Sequence, residues 1–163
     1  AQRWDIVPED IVQVKDGMVE AGKTASRSVA LHYEIYRRNP KINSIILTQS
    51  PALMGFCTTG EKFDVRTIPE SWIFLQDIPI FPFGSQYDEH LEELAEEFKT
   101  RPFVMLANDS VLVTGDKLIN TFDRLEVADF SARSLILAAP LGSLKPITDD
   151  QIEELRVAFH VGE

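Results

Sequence analysis

The sequence predicts an α/β sandwich in which helices pack on a mixed sheet, because strand-like and helix-like segments alternate along the chain. Short apolar runs of the strand type lie at residues 42–48, 103–106 and 111–113. Apolar residues recur every three or four positions, as in a helix with one buried face, over residues 29–36, 87–99 and 117–139. The chain contains no internal repeat and no low-complexity segment. It is therefore expected to form one folded domain over residues 1–163.

Local signals predict the elements of the first half. Asp16-Gly17 separates two strand-like runs and predicts a hairpin, since Gly accepts the positive φ of a tight turn. Asn39-Pro40 ends the first helix, because the residue before proline avoids helical geometry. The run at 42–48 is apolar on both faces and predicts a buried strand. Ser50 as N-cap and Pro51 at the first helical position predict the next helix.

The second half is predicted in the same way. Prolines confine the strand-like residues 78–81 to a sheet edge. The turn Asn108-Asp109-Ser110 joins a pair of strands, and Pro140 with Gly142 ends the long helix that follows them. Thr148 and Gln151 have the spacing of a capping box and predict the start of a last helix.

Composition excludes several classes of function. No run of about 18 apolar residues could span a membrane. A net charge of -10 disfavours binding to nucleic-acid phosphates. The single cysteine, Cys57, is expected to be a buried apolar residue, and its isolation fits a reducing, cytoplasmic location. His32 faces inward on the first helix and is expected to be a core histidine with its hydrogen bonds made.

Three segments together resemble the class II aldolase/adducin family, which includes fuculose-phosphate aldolase. The stretch from Ser26 through His32 and Tyr36 to Pro40 is similar to the family's Ser-Ser-Glu-x-x-x-His-x-x-x-Tyr. Residues 42–51 resemble the strand that ends in His-x-His-x-Pro, and residues 108–115 resemble Asn-His-Gly-x-x-x-x-Gly. The resemblance implies a three-layer α/β/α sandwich with a mixed, largely antiparallel central sheet.

In this family three histidines hold a divalent metal, usually zinc, and a nearby Glu transfers protons. The positions that match the glutamate and the three histidines hold, in this chain, Ser28, Leu47, Gln49 and Asp109. Zinc requires imidazole, thiolate or carboxylate donors, and of these four only Asp109 offers one. The resemblance therefore implies a catalytic site without confident catalytic residues, no metal ligand set and no zinc cofactor.

The functional expectation that follows is a non-catalytic, oligomerising or interaction subunit with an aldolase fold. Two alternatives stay open: a lyase or epimerase that acts on a ketose phosphate with a non-standard site, and a domain that binds a sugar phosphate or small acid. Ser26 and Arg27 are candidate anion-binding residues, because they lie at a predicted helix start. The family's Gly-Asn-x-Ser phosphate-binding segment has no counterpart in the sequence. We therefore expect a homo-oligomer, by family analogy a tetramer, or a partner chain that supplies this segment.

Overall fold

The computed structural model describes residues 5–87 and 89–162. The strands in chain order are β1 (Val14–Lys15), β2 (Met18–Val19), β3 (Ser44–Thr48), β4 (Ile80–Phe81), β5 (Phe103–Leu106) and β6 (Ser110–Gly115). The α-helices are α1 (Val29–Arg38), α2 (Pro51–Thr59), α3 (Pro69–Leu75), α4 (Leu91–Glu97), α5 (Leu118–Ala138) and α6 (Asp149–Ala158). Short 3-10 turns occur at Pro8–Asp10, Val65–Thr67 and Ala139–Leu141.

The main sheet is mixed, as predicted, with the strand order β3-β6-β5-β4. Strand β6 pairs antiparallel with both β3 and β5, whereas the short β4 runs parallel to β5. The prediction that β3 is buried on both faces is wrong in the described part of the chain. It lies at an edge of this sheet and most of its residues are half-buried.

Helices cover both faces of the sheet, which confirms the three-layer α/β/α sandwich. On one face Leu31 and Ile35 of α1 and Leu94 of α4 pack with Val104 and Leu112 of the sheet. The core on the other face joins α2 and α5 to the sheet through apolar residues that include Leu53, Phe56, Met105, Val113, Ala128 and Ala132. Side chains alternate between the two faces along each strand, so neighbouring residues of β5 and β6 belong to different cores.

Polar contacts hold α1 against α4 on the first face. The Arg38 guanidinium donates to Glu92 and Glu96 of α4, each at 2.7 Å. The buried Asn39 side chain donates to the carbonyls of Ile35 and Ala95, at 2.9 and 3.1 Å. The last turn of α1, which ends before Pro40 as predicted, is thereby tied to α4.

Helix α4 is shorter than the predicted 87–99, a range that includes position 88, outside the described residues. Tyr87 donates its N–H to the Gly84 carbonyl in a turn that precedes the helix. Ser85 and Gln86 are buried in this turn. Their burial holds the chain in a non-helical path, which the acidic amphipathic pattern of the sequence does not reveal.

The predicted hairpin forms at Asp16 and Gly17, which both have positive φ, 50° and 76°. Nearly all residues from 5 to 22 are exposed, including apolar side chains such as Ile11 and Met18. Lys23 closes this segment by donating to the carbonyls of Glu9 and Ile11, at 2.6 and 2.8 Å.

Among the described helices, none combines the length and the apolar character needed to cross a membrane. The predicted capping box is present in α6, where Gln151 N–H donates to Thr148 Oγ1 and Thr148 N–H donates to the Gln151 side chain.

The His32 ring is half-buried on α1, but its Nε2 atom is buried without a hydrogen-bond partner among the described residues. The expectation that its hydrogen bonds are all made is therefore wrong. A buried nitrogen without a partner leaves the charged imidazolium poorly solvated. Burial accordingly lowers the pKa of His32 below its ordinary value of 6.5.

This lowered pKa predicts a loss of stability in mild acid. Between the two pKa values the unfolded chain binds more protons than the folded one, so the free energy of unfolding falls as the pH drops below about 6.5. Denaturant unfolding at about pH 7.5 and about pH 5.5 measures this loss, which cannot exceed about 1.4 kcal/mol per pH unit for one proton. His32→Gln should flatten the dependence, because it removes the group whose pKa is lowered in the folded state. An identical dependence in wild type and His32→Gln would contradict the prediction.

Candidate functional site

The candidate site lies at the end of the sheet where β3 finishes and β5 turns into β6. Leu47 stands opposite Leu112 in the sheet, and Gln49 follows the last residue of β3. Asn108 and Asp109 form the β5–β6 turn, in which Asn108 has a positive φ of 56°. The structure thus brings Leu47 and Gln49 to the same end of the sheet as Asp109. Asp109 lies 60 residues beyond Gln49 in the chain.

Hydrogen bonds from three side chains hold Asp109. Gln86 Nε2 donates to Asp109 Oδ2 at 2.8 Å, and Ser110 Oγ donates to Oδ1 at 2.7 Å. Gln49 Nε2 donates to the Asp109 backbone carbonyl at 2.7 Å. Both carboxylate oxygens therefore already accept a hydrogen bond from the protein, and Gln49 uses its amide group on the backbone.

Sequence reasoning missed Gln86, which is only 1% exposed although it is a polar residue. Its Oε1 atom is buried and has no hydrogen-bond partner among the described residues. The only sequence signal is its place after Gly84-Ser85, in the turn that follows the edge strand β4. An amide oxygen that is buried without a hydrogen-bond donor is unfavourable, so this turn contains an unsatisfied acceptor next to Asp109.

Leu47 and Ser28 do not join this cluster. Leu47 is half-buried and packs against the core beneath α1 and α4. Ser28 precedes the first turn of α1, and its hydroxyl shares a 2.9 Å hydrogen bond with the Ser26 hydroxyl. In the part of the chain that the structure describes, no hydrogen bond connects Ser28 with Gln49 or Asp109.

Ser26 and Arg27 lie just before α1, as predicted, but their groups are engaged within the chain. The N–H groups of Ser28 and Val29 donate to the Ser26 hydroxyl and carbonyl, at 3.3 and 3.1 Å. The Arg27 guanidinium carbon lies 5.7 Å from the centre of the Tyr87 ring, within the range of a cation–π contact. Anion binding by Ser26 and Arg27 stays a prediction.

Cys57 lies behind the β5–β6 turn and is 1% exposed, which confirms that it is a buried apolar residue. Its carbonyl accepts the Asn108 N–H at 3.0 Å, so α2 helps to shape the turn. Burial raises the pKa of the Cys57 thiol to about 11, and at neutral pH the reactive thiolate is scarce. Within residues 5–87 and 89–162, no three His, Cys, Asp or Glu side chains are grouped so that they could hold a metal ion.

Comparison with known proteins identifies relatives of this arrangement. L-fuculose phosphate aldolase of Methanocaldococcus jannaschii is 33% identical over 132 residues, which cover 79% of this chain and 70% of the relative. 3-oxo-tetronate 4-phosphate decarboxylase of Escherichia coli K12 is 25% identical over 148 residues, 86% of this chain and 68% of the relative.

Solved structures show the same fold. A structure described as L-fuculose 1-phosphate aldolase superposes with a TM-score of 0.81 at 21% identity, covering 96% of this chain and 75% of that one. The l-fuculose-1-phosphate aldolase of Thermus thermophilus gives a TM-score of 0.73 at 18% identity, covering 88% and 76%.

The family described as class II aldolase and adducin N-terminal domain matches residues 1–136. The expected order of segments, the mixed sheet between two helical layers and this match agree. The chain therefore belongs to the class II aldolase and adducin family.

Proposed function

We propose that this chain is an aldolase-fold domain that has lost the metal-dependent lyase reaction and acts as an associating subunit of a homo-oligomer. The proposal rests on the residues that occupy the positions of the family's metal-binding histidines. Leu47 is half-buried and packs against the core there, and the Gln49 side-chain amide donates a hydrogen bond to the Asp109 backbone carbonyl.

The residues at these positions do not fit zinc. Zinc is held by imidazole, thiolate or carboxylate donors at about 2 Å, with a position open for substrate. Leu47 has no donor atom, and the Gln49 nitrogen is a hydrogen-bond donor. The carboxylate of Asp109 is bonded by Gln86 and Ser110, and a metal there would have to displace at least one of these contacts. We therefore infer no zinc cofactor. Aldol cleavage in this family would need a metal that polarises the substrate carbonyl, so we infer that this reaction is lost as well.

One observation favours a second function. Asp109 is half-buried, and its carboxylate accepts a hydrogen bond from Gln86, whose Oε1 atom has no partner among the described residues. Two named relatives are an aldolase and a decarboxylase. A lyase or epimerase with a non-standard site would require both the Asp109 carboxylate and the Gln86 amide oxygen. A sugar-phosphate or small-acid binding domain would require the polar cluster, with or without Ser26 and Arg27, but no turnover.

Metal binding and turnover separate these functions. Wild type should bind no stoichiometric zinc or cobalt by calorimetry and should not cleave L-fuculose 1-phosphate, because the donor set is missing. The triple variant Leu47→His, Gln49→His, Asp109→His should gain one cobalt site, visible by its d–d absorption, since it restores imidazole at all three positions.

Two outcomes would contradict the proposal. Turnover by wild type that disappears in Asp109→Asn would establish the second function. A folded triple variant that binds no cobalt would show that these three positions do not form the metal site, and the inferred loss would have no basis.

The surface for association is the outward face of α5. At 100° per residue its exposed apolar side chains fall within about a third of the helix circumference. They are Leu118, Ile119, Phe122, Phe130, Ile136 and Leu137. The opposite side of the helix carries Ala128, Ala132 and Leu135, which pack in the core. A helix that is apolar on two sides is typical of one buried on both.

An open groove of about 900 Å³ adjoins this face, between α5 and the starts of α2 and α3. Phe122, Phe130 and Ile68 are among the apolar residues that line it, and its charged residues are Glu70, Glu126, Asp129 and Arg133. A chain of net charge -10 repels a second copy in general, so association is expected where the apolar area is large enough to offset that repulsion. The apolar residues of this face meet that condition, and we propose a second copy of the chain as its occupant, in a tetramer.

Light scattering after size-exclusion chromatography tests the association. Wild type should have about four times the chain mass of 18.4 kDa. Phe130→Glu places a charge on the outward face of α5 and should weaken association at least about 30-fold, the effect of losing a central aromatic contact. The matched control is Phe159→Glu, because Phe130 and Phe159 are exposed to nearly the same extent, 60% and 58%.

The control variant should keep the wild-type mass, since Phe159 lies at the end of α6 and not on the α5 face. A monomeric wild type, or equal masses for Phe130→Glu and wild type, would contradict the proposed surface.

A further inference from the structure

A second polar site lies at the opposite end of the main sheet from Asp109. Strand β3 begins at Ser44, opposite Gly115, and ends at Thr48, opposite Val111. The two ends of the strand are separated by about 13 Å at 3.3 Å per residue. At the Ser44 end a pocket of about 350 Å³ opens between the α1–β3 loop, the α4–β5 loop and α5. We call it the basic pocket, after the four cationic residues that line it, Lys41, Lys99, Arg101 and Arg124.

Arg124 is the half-buried cation of the basic pocket. Its Nη1 atom donates to the Thr114 carbonyl at 2.6 Å, while its Nε atom is buried without a partner among the described residues. No carboxylate in the described part of the chain forms an ion pair with it, and burial lowers the pKa of its guanidinium. Asp116 attracts this guanidinium electrostatically without forming an ion pair, so the half-buried charge is only partly compensated.

Gly115 allows this placement of Arg124. A Cβ atom at Gly115 would lie 2.5 Å from Thr121 Oγ1 and 3.2 Å from Arg124 Nη1. Only glycine lets the start of α5 approach the end of β6 so closely. Glycine at position 115 therefore allows the Arg124 side chain to lie against the end of the sheet.

The other three cationic residues of the basic pocket add positive charge to its lining. Lys41 is exposed and forms no ion pair with any described residue, whereas Lys99 pairs with Glu96 and Arg101 with Glu97. Asp116 is the one acidic residue among the described residues that line the pocket. Four cations and one carboxylate give the lining a formal charge of +3, of which the ion pairs with Glu96 and Glu97 offset two.

We propose that the basic pocket binds the dianionic phosphate group of a small molecule. A guanidinium presents paired donors that match phosphate geometry, and Lys41 adds a charge that no neighbouring described residue neutralises. Lys41 and Arg124, which form no ion pair with any described residue, together favour a dianion over a single carboxylate. The volume of about 350 Å³ lies at the small end of the range for small-molecule sites, about 300–1,000 Å³. The phosphate can be inorganic or part of an ester, and both have the same recognising chemistry.

The proposal is independent of the proposed function. It uses neither the Asp109 cluster nor the outward face of α5, and the protein could bind phosphate whether or not it turns over a substrate. Binding is therefore measured directly, with the oligomer mass recorded in the same samples, so that failure of one proposal is not mistaken for failure of the other.

Amide NMR titration of the full chain at constant ionic strength tests the site, with inorganic phosphate and glycerol 3-phosphate as probes and acetate as comparison. The amides of Thr114, Gly115 and Lys41 should shift saturably with phosphate and not with acetate. Tighter binding of the ester would mean that the rest of the molecule adds contacts, and equal binding would mean that the phosphate group is recognised by itself. Either result supports the site.

Two variants of equal charge provide the decisive comparison. Lys41→Met should weaken phosphate binding about fivefold to tenfold, the effect of one charge-assisted contact. Lys145→Met removes the same charge from an exposed position outside the basic pocket and should leave the affinity unchanged. Arg124→Met should abolish saturable binding; if it fails to fold, the Lys41 and Lys145 comparison still decides.

Absence of shifts at Thr114 and Gly115, or an equal effect of Lys41→Met and Lys145→Met, would overturn the proposal. Acetate that binds as tightly as phosphate would overturn the assigned class of ligand.

Discussion

The structure depends on the burial of β6 within the main sheet. Every residue of Ser110–Gly115 is buried, and the strand is hydrogen-bonded to β3 on one side and to β5 on the other. Its side chains alternate between the two cores, with Val111 and Val113 under α2 and α5 and Leu112 under α1 and α4. A strand that is hydrogen-bonded on both sides and buried on both faces cannot shift its register. A slip of one residue would move every side chain from one core to the other.

The fixed strand places a polar site at each of its ends. Asp109 immediately precedes β6 and is held by Ser110, the first residue of the strand. Gly115, its last residue, determines how closely Arg124 approaches. A rigid buried strand with polar loops at both ends is the usual way in which an α/β fold carries binding groups. The proposed loss of metal ligands at one end would therefore leave the scaffold intact, since hydrogen bonds from Gln49 and Gln86 hold the Asp109 turn.

The sequence was sufficient where the cause of a structure is local. The Asp16-Gly17 turn, the helix end before Pro40 and the Thr148–Gln151 capping box each depend on residues within four positions. It was insufficient where the cause is tertiary. The burial of Gln86 depends on Asp109, 23 positions away, and the edge position of β3 depends on which strands pair.

The candidate site shows the same limit. Resemblance to the family named Ser28, Leu47, Gln49 and Asp109, and the structure joins Gln49 and Asp109 by a direct hydrogen bond. No pattern could indicate that Gln86 donates to Asp109, or that Lys41 and Arg124 line one pocket, because those residues are far apart and of ordinary type in sequence. Such groups become visible only when folding brings them together.

Helix α5 distributes its side chains in a way that a solitary domain would not require. Small residues face the sheet, among them Thr121, Ala128 and Ala132, and they let the helix lie close to β6. Large apolar residues face outward, among them Phe122 and Phe130. Burial of a large apolar side chain contributes about 1.5–3 kcal/mol, so leaving several on one exposed stripe forgoes a substantial stabilisation. Contact with other copies of the chain would recover it without disturbing either end of β6, which makes association compatible with both polar sites.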